Sequence, residues 1–217
     1  MDKKKLDQQS QYWEKNFLSK SEMFGLEPSK AAINTLKIFK EEKIKKIVEL
    51  GAGLGRDTLF FAKNSIAVEA LDYSSTAIKI INKKSLESKL SNLISAKIFD
   101  VRKKLPFKDN SIEACFSHML YCMALTMKEL KYLSSEIYRV LKPGGINIYT
   151  VRHTEDGDYK NGIHIGENLY ENDGFIVHFF SEEKVRKIAN GFKVIDIEKF
   201  EEGLFPRKLF RVTLKKN

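Results

Sequence analysis

The segment 46–62, which reads KIVELGAGLGRDTLFFA, brings three glycines together between an apolar run and a helical pattern. The apolar run ends at Leu50, Gly51, Gly53 and Gly55 follow, and apolar residues then recur at helical spacing. A strand that passes through glycines into a helix brings bare backbone and helix N–H groups up to a ligand. The spacing therefore predicts a ligand-binding loop.

The acidic residues around this loop indicate which ligand suits it. Asp72 ends a second apolar run 17 residues after Gly55, near the spacing at which a carboxylate binds a ribose in nucleotide-binding α/β folds. The glycines read G-x-G-x-G, with Arg56 in place of the third glycine of a dinucleotide fingerprint, and the G-K-S/T of a phosphate loop is missing. Glu49 would repel a pyrophosphate but suits an ammonium or hydroxyls. The expected ligand is a nucleoside that carries an amino acid.

Three further segments follow the glycine loop in a recognisable order. The four segments, which together run from residue 46 to residue 152, are VELGAGLGRD, ALDYS, KIFDVRKKLPFKDNSIEACFSHML and LKPGGINIYTVR. They resemble the motifs of class I S-adenosylmethionine-dependent methyltransferases. The chain is similar to the small-molecule group that contains the thiopurine and tellurite-resistance enzymes. The resemblance implies S-adenosyl-L-methionine as cofactor and methyl transfer to a small-molecule acceptor, by in-line displacement in a water-shielded pocket.

Apolar runs and helical patterns alternate along the chain, which favours a doubly wound parallel α/β sheet. Strands are predicted near 46–50, 66–71, 93–99, 112–117, 145–151, 192–200 and 207–215. Helices are predicted near 6–20, 28–43, 56–64, 74–88, 126–141 and 181–190. The last two strands are close in sequence, so at least one should be antiparallel. The resemblance implies a seven-stranded, mostly parallel sheet with one antiparallel strand, the Rossmann-like methyltransferase fold.

The length of 217 residues predicts a single domain, 1–217. We divide it into four parts with different expected roles. These are an N-terminal helical flap (1–43), a cofactor-binding core (44–151), a polar acceptor-side insertion (152–180), and a C-terminal helix with two strands (181–217).

The resemblance places the methionine end of the cofactor and its ribose on the glycine loop and the second strand. Glu49, Gly51, Ala52 and Gly53 are expected to line the methionine end. Asp72 is expected to bind both ribose hydroxyls, since a carboxylate offers two acceptor oxygens.

The adenine is expected to lie against the second and third strands. Tyr73 could lay its ring on the base, or pack in the core. Asp100 and the Val101 backbone are implied to bind adenine nitrogens, although Asp100 also suits a turn. Arg56 either contacts the cofactor or is an ordinary first-turn residue of its helix.

The acceptor should enter near the ends of the fourth and fifth strands. His118 is the candidate base there, because histidine titrates near neutral pH, although it could instead only shape the pocket. Tyr121 could orient the acceptor. The insertion 152–180 is expected to act as a lid, and Arg152 could anchor an anionic group, as could Arg207.

Composition limits the partners that we expect. The net charge of +9 comes from scattered lysines, many next to glutamates, which favours a solvated surface over a nucleic-acid footprint. No apolar stretch approaches the roughly 20 residues of a membrane span and no apolar signal core opens the chain, so we expect a cytoplasmic protein. Irregular histidine spacing argues against a metal site. Two alternatives stay open: an RNA or protein methyltransferase, and a non-catalytic protein that binds S-adenosylmethionine.

Overall fold

A computed structural model describes residues 3–20, 23–203 and 207–217 of the chain. The strands are β1 (Lys46–Leu50), β2 (Ala67–Asp72), β3 (Ile94–Ile98), β4 (Ile112–Ser117), β5 (Leu141–Arg152), β6 (Ile163–Gly166), β7 (Leu169–Asn172), β8 (Phe175–His178), β9 (Phe192–Glu202) and β10 (Arg207–Lys216). The helices are α1 (Lys3–Asp7), α2 (Gln9–Ser19), α3 (Lys30–Glu41), α4 (Arg56–Lys63), α5 (Ser75–Glu87), α6 (Met127–Val140) and α7 (Glu182–Ile188).

The main sheet has seven strands in the order β3-β2-β1-β4-β5-β10-β9. Its strands run parallel except for β10, which is antiparallel to both neighbours, β5 and β9. The prediction of a mostly parallel sheet with one antiparallel strand is confirmed. Apart from Lys46, the residues of the central strand β1 are buried, because helices cover both faces of such a sheet. The order reverses between β1 and β4, and ligands bind at the carboxyl ends of the strands at this kind of switch point.

Local sequence signals fix the starts of the helices that surround this point. The Ser29 and Ser74 hydroxyls accept the N–H groups of the third residues after them and so cap α3 and α5. α4 starts after Gly55, whose φ of +79° lies in the left-handed region. A β-carbon at this glycine would lie 2.6 Å from the side chain of Ile81, so both backbone and space require glycine.

Two segments differ from their predicted form. The helix expected over 6–20 is divided into α1 and α2. The insertion 152–180 contains a three-stranded antiparallel sheet, β6-β7-β8, rather than a loop alone. We call this the insertion sheet. The predicted EEGLFP connection between the last strands lies partly outside the described residues, at 204–206.

Candidate functional site

A cavity of about 400 Å³ lies where the glycine loop, the N-terminal helices and the insertion meet. The glycine loop contributes Glu49, Gly51, Ala52, Gly53 and Arg56 to its lining. The other predicted site residues that line it are Asp72, Tyr73, His118 and Arg152. The fold therefore brings together most of the residues that the sequence analysis selected.

Asp72 holds the glycine loop in place from the end of β2. Its two carboxylate oxygens accept the N–H of Gly53 at 2.8 Å and the N–H of Ser74 at 2.9 Å. The side chain is 6% exposed, and burial raises its pKa to about 6 despite these two bonds. Each carboxylate oxygen has a second lone pair, so Asp72 can accept two further hydrogen bonds from a ligand.

Glu49 and Asp57 add two more buried carboxyl groups next to the loop. The Thr58 hydroxyl donates to Glu49 at 2.5 Å. Burial, followed by the charges of Asp57 and Asp72, holds the pKa of Glu49 well above its usual range. Asp57 accepts the N–H of Ser29 at 2.7 Å and its hydroxyl at 2.8 Å, so it ties α4 to the start of α3. A site with this excess of carboxyl groups favours a cationic ligand over a pyrophosphate.

The predicted N-terminal flap lines the cavity on the side of the glycine loop. Trp13, Phe17 and Phe24 line it, and their rings contact one another at centroid distances of 5.5 to 6.3 Å. Glu14 accepts hydrogen bonds from the side chains of Ser75 and Thr76, at 2.8 and 2.7 Å, at the first turn of α5. A carboxylate at a helix N-terminus is stabilising, so Glu14 fixes α2 over the glycine loop.

The flap also contacts the insertion sheet. The Gln9 amide donates to the Gly174 carbonyl at 2.9 Å and accepts the Ile176 N–H at 3.2 Å. The Tyr12 hydroxyl donates to the Asp173 carbonyl at 2.8 Å, and its ring packs edge-on against Phe175 at 4.8 Å. The flap and the insertion sheet thus contact each other beside the cavity, which stays partly open.

His118 follows β4 and lines the cavity, with a side chain that is 14% exposed. Its Nδ1 lies 3.0 Å from the Thr150 hydroxyl, and its Nε2 lies 3.8 Å from the Glu202 carboxylate. Burial lowers the pKa of His118, although the charges of Asp57 and Glu202 oppose this shift. The ring is therefore neutral at pH 7.

Arg152 lines the cavity, but its charge is already matched. Its Nη2 donates to Asp158 at 2.5 Å and to Asp156, and its guanidinium lies 5.2 Å from the ring centre of Phe179. Burial opposes its charge, but the two carboxylates raise the pKa of Arg152 overall. The expectation that Arg152 anchors an anionic acceptor does not fit these two aspartates, which neutralise it. Arg207 also lines the cavity, and no salt bridge of its side chain is recorded among the described residues.

Three predicted site residues lie outside the cavity lining. Tyr121 is fully buried, stacks on Tyr149 at a centroid distance of 4.1 Å, and accepts a hydrogen bond from Asn147, so its hydroxyl does not face a ligand. The Asp100 carboxylate pairs with Arg102 at 2.8 Å, and Val101 is buried in the core.

Sequence reasoning missed Glu202, the last residue of β9. Its carboxylate lies 3.5 Å from Arg56 and accepts the N–H of Lys30 at 3.2 Å, in addition to facing His118. An acidic side chain at the end of a hairpin strand is a weak signal by itself. Only the pairing of β10 with β5 brings this hairpin end to the site.

Two negative findings apply to residues 3–20, 23–203 and 207–217. No helix in these ranges has the length and apolar character that a bilayer crossing requires. No group of histidine, cysteine or acidic side chains in them is arranged to hold a metal ion.

Comparison with known sequences identifies the central region. Residues 48–149 match the family model described as "Methyltransferase domain". Phosphoethanolamine N-methyltransferase 1 of Triticum aestivum is 35% identical over 121 residues, covering 55% of this chain and 24% of that protein. The tRNA N(3)-methylcytidine methyltransferase trm140 of Schizosaccharomyces pombe is 30% identical over 165 residues, covering 70% of this chain and 52% of that protein. The chain thus spans about half or less of the length of these relatives.

Comparison with solved structures agrees on the fold. A SAM-dependent methyltransferase from Methanosarcina mazei superposes with a TM-score of 0.69 and 19% identity, covering 80% of this chain and 92% of that one. The 4+2 cyclase SpnF superposes with a TM-score of 0.74 and 16% identity, covering 97% and 96%. Residues 48–149 therefore match a methyltransferase domain, and the chain is similar in fold to S-adenosylmethionine-dependent methyltransferases, in agreement with the motif resemblance.

Proposed function

We propose that this protein transfers a methyl group from S-adenosylmethionine to a small-molecule acceptor. The observation that supports this most is the cavity between the flap and the insertion sheet, in which Glu49 and Asp72 flank the glycine loop. The reaction is an in-line displacement, so the protein mainly aligns the two reactants and excludes water. A cavity of about 400 Å³, partly covered by the flap and the insertion sheet, suits that task.

In this proposal two carboxyl groups bind different parts of the cofactor. Asp72 accepts the ribose hydroxyls with the lone pairs that Gly53 and Ser74 leave available. Glu49 lies next to the α-ammonium of the methionine end, whose positive charge offsets the buried cluster of carboxyl groups. Tyr73 lines the cavity and lies against the adenine, and Arg56 supports the loop from α4. Adenine recognition by Asp100 and Val101 stays a prediction.

Several observations favour a small acceptor. The acceptor side of the cavity is walled by the insertion sheet, which supplies Tyr170, Phe175 and Val177, and by Phe179, which follows it. These side chains and the contacts between flap and insertion sheet partly enclose the acceptor side, which favours a small acceptor. Phosphoethanolamine, named for one relative, is an acceptor of this size.

A second candidate is methylation of an RNA base. The tRNA methyltransferase relative aligns with 70% of this chain, and the net charge of +9 permits RNA binding. A base would have to leave its stack and enter the cavity beneath the flap. The basic residues are scattered along the chain, and we therefore rank this candidate second.

Calorimetry with S-adenosylmethionine, S-adenosylhomocysteine and NAD tests the cofactor. Trp13 is the only tryptophan of the chain and lines the cavity, so its fluorescence gives an independent binding signal. We expect both adenosyl ligands to bind and NAD not to bind. Binding of NAD alone would overturn the proposal.

A methyl-transfer screen with radiolabelled cofactor then tests the acceptor. The panel holds thiols, amines, metalloid oxyanions and transcribed tRNA, and Asp72→Ala serves as the inactive variant. Asp196→Ala is the matched control, because Asp196 is exposed on β9 and lies outside the cavity lining. Label in tRNA only would replace the small-molecule proposal with the RNA one.

A further inference from the structure

The hydrogen bonds around Thr150 fix the tautomer of His118. The Thr150 hydroxyl oxygen accepts the N–H of Met119 at 2.9 Å and lies 3.0 Å from Nδ1 of His118. Thr150 is fully buried, and an unpaired buried donor costs about 1–3 kcal/mol. Among the described residues, Nδ1 of His118 is the partner recorded for the Thr150 hydroxyl proton. Nδ1 therefore accepts, and the ring proton lies on Nε2.

The Nε2–H then faces Glu202. At 3.8 Å the two groups are too far apart for a hydrogen bond, so the N–H still has its donor capacity for a ligand. The Glu202 Oε2 atom that faces it is buried and has no hydrogen-bond partner among the described residues. An unpaired buried carboxylate oxygen is costly, and its field favours the Nε2–H tautomer and holds the proton on that atom.

Glu202 also connects this ring to the flap. Its Oε1 lies 3.5 Å from Arg56, and Arg56 donates to the Phe24 carbonyl at 2.9 Å. Phe24 lines the cavity beside Trp13. A single carboxylate at the end of β9 thus positions both the imidazole at the acceptor side and the arginine that supports the flap.

We propose that His118 acts as a hydrogen-bond donor to the acceptor and not as its general base, and that Glu202 is the positioning residue that orients it. This inference rests on the proposed function. The other charged groups around His118 are Asp57, Arg56 and Arg207. Neither ring nitrogen of His118 offers a lone pair to the acceptor, because Nδ1 accepts the hydrogen bond from Thr150 and Nε2 carries the proton.

The consequence concerns the class of acceptor. The acceptor lone pair forms the bond to the methyl carbon, and the electron pair of the broken C–S bond returns to sulfur to give S-adenosylhomocysteine. The acceptor must lose any proton to bulk water before it enters the cavity, because His118 cannot take it. This favours an acceptor that reaches the unprotonated form readily near neutral pH, such as a thiol as its thiolate. An alcohol, which needs a base in the transition state, is disfavoured.

Nitrogen-15 NMR of the histidine rings tests the tautomer without any turnover. His118→Gln identifies the His118 signals by their loss, and spectra are taken with and without S-adenosylhomocysteine. We expect a protonated Nε2 and an unprotonated Nδ1 at pH 7, and we expect Thr150→Val to weaken this preference, because Glu202 still favours a proton on Nε2. A proton on Nδ1 at pH 7 in the unmodified protein would overturn the inference, even if the cofactor proposal stands.

The role of Glu202 is tested by titrating the same signals. Glu202 raises the pKa of His118, so Glu202→Gln should shift the titration to lower pH. Glu201→Gln is the matched control, because Glu201 is exposed on the same strand, and it should leave the titration unchanged. Equal curves for both variants would refute the positioning role.

Turnover completes the test once an acceptor is known. His118→Gln keeps an N–H donor at similar reach but offers no basic nitrogen, so we expect kcat within about tenfold of the unmodified enzyme. Loss of a general base would instead cost about 10²- to 10⁴-fold. A loss in that range, with S-adenosylhomocysteine affinity unchanged, would restore the base role and overturn ours.

Discussion

Replacing Asp72 by asparagine should weaken cofactor binding while it stabilises, or leaves unchanged, the free protein. The carboxyl group is buried, and its pKa is raised from 3.8 to about 6. At about 1.4 kcal/mol for each unit of pKa, the charged form is disfavoured by about 3 kcal/mol in the folded state. Below pH 3.8 the carboxyl group of Asp72 is protonated in both the folded and the unfolded protein, and it costs the folded state no stability. Because the pKa is raised in the folded state, stability is lost as the pH rises from 3.8 through about 6. At pH 7.5 the free protein therefore carries the full cost.

Asparagine removes this cost but introduces another. Its single amide oxygen can accept from Gly53 or Ser74, while its NH₂ group faces the other backbone N–H. An unsatisfied buried donor costs about 1–3 kcal/mol, so the net gain in free energy of unfolding at pH 7.5 is about 0–2 kcal/mol. Ribose hydroxyls lose a charged acceptor, and affinity for S-adenosylhomocysteine should fall by about 1.5–3 kcal/mol, or 10- to 150-fold.

Urea unfolding at pH 5 and pH 7.5, with and without S-adenosylhomocysteine, measures both effects. The free energy of unfolding of Asp72→Asn, relative to that of the unmodified protein, should be higher at pH 7.5 than at pH 5. The reason is that folded Asp72 is largely protonated at pH 5 and so carries less of the cost of burying a charge. Comparing the two proteins at each pH cancels the contribution of Glu49 and other groups. A variant that is less stable by more than 2 kcal/mol at pH 7.5, or one that binds the ligand normally, would refute this reasoning.

Four other substitutions test the glycine loop, the contacts between flap and insertion sheet, and the ion pair of Arg152. Gly53→Ala should lower cofactor affinity and cost about 1–2 kcal/mol of stability, because its φ of +52° disfavours a side chain although the nearest atom, on Phe17, lies 3.8 Å away. Gly55→Ala should unfold at a still lower urea concentration, because its β-carbon would also lie 2.6 Å from Ile81. Tyr12→Phe removes one hydrogen bond between flap and insertion sheet, worth about 0.5–1.5 kcal/mol. The dissociation rate of S-adenosylhomocysteine in stopped-flow fluorescence should therefore rise about 2- to 13-fold. An unchanged rate would mean that this contact does not hold the flap against the insertion sheet. Arg152→Met removes the ion-pair partner of the buried Asp156 carboxylate, which keeps its bonds from the N–H groups of Asp158 and Lys208. The cost in thermal or urea unfolding should therefore be about 3 kcal/mol, the lower end for a broken buried ion pair, and unchanged stability with lost turnover would restore the anion-anchor role.

Local patterns were enough to predict the sheet and the glycine loop. Apolar residues dominate the central strands β1, β2 and β4, and the glycines with Glu49 and Asp72 lie within one strand-helix-strand unit. The predicted strand positions therefore agree with β1–β5, β9 and β10 within a few residues. These features depend on contacts between neighbouring segments, which short-range periodicity reports.

The acceptor side depends on contacts between distant segments, and prediction was weaker there. Glu202 reaches His118 only because β10 folds back on β5, and Tyr12 meets Asp173 across 161 residues of sequence. Arg152 is a different case, because Asp156 and Asp158 follow it within six residues. Those acidic neighbours were visible in the sequence as a signal that its charge would be matched locally.

The placement of the carboxyl groups explains why closure and cofactor binding should be linked. Glu49, Asp57 and Asp72 are buried close together, and burial and mutual repulsion raise the pKa of Glu49 and burial that of Asp72. The free site is therefore electrostatically unfavourable, and a ligand with an ammonium and a sulfonium relieves it. Water that entered beneath the flap would solvate the same groups and weaken that preference. The contacts between flap and insertion sheet should thus protect cofactor affinity as well as the reaction. Weakening these contacts should lower cofactor affinity before it lowers acceptor affinity.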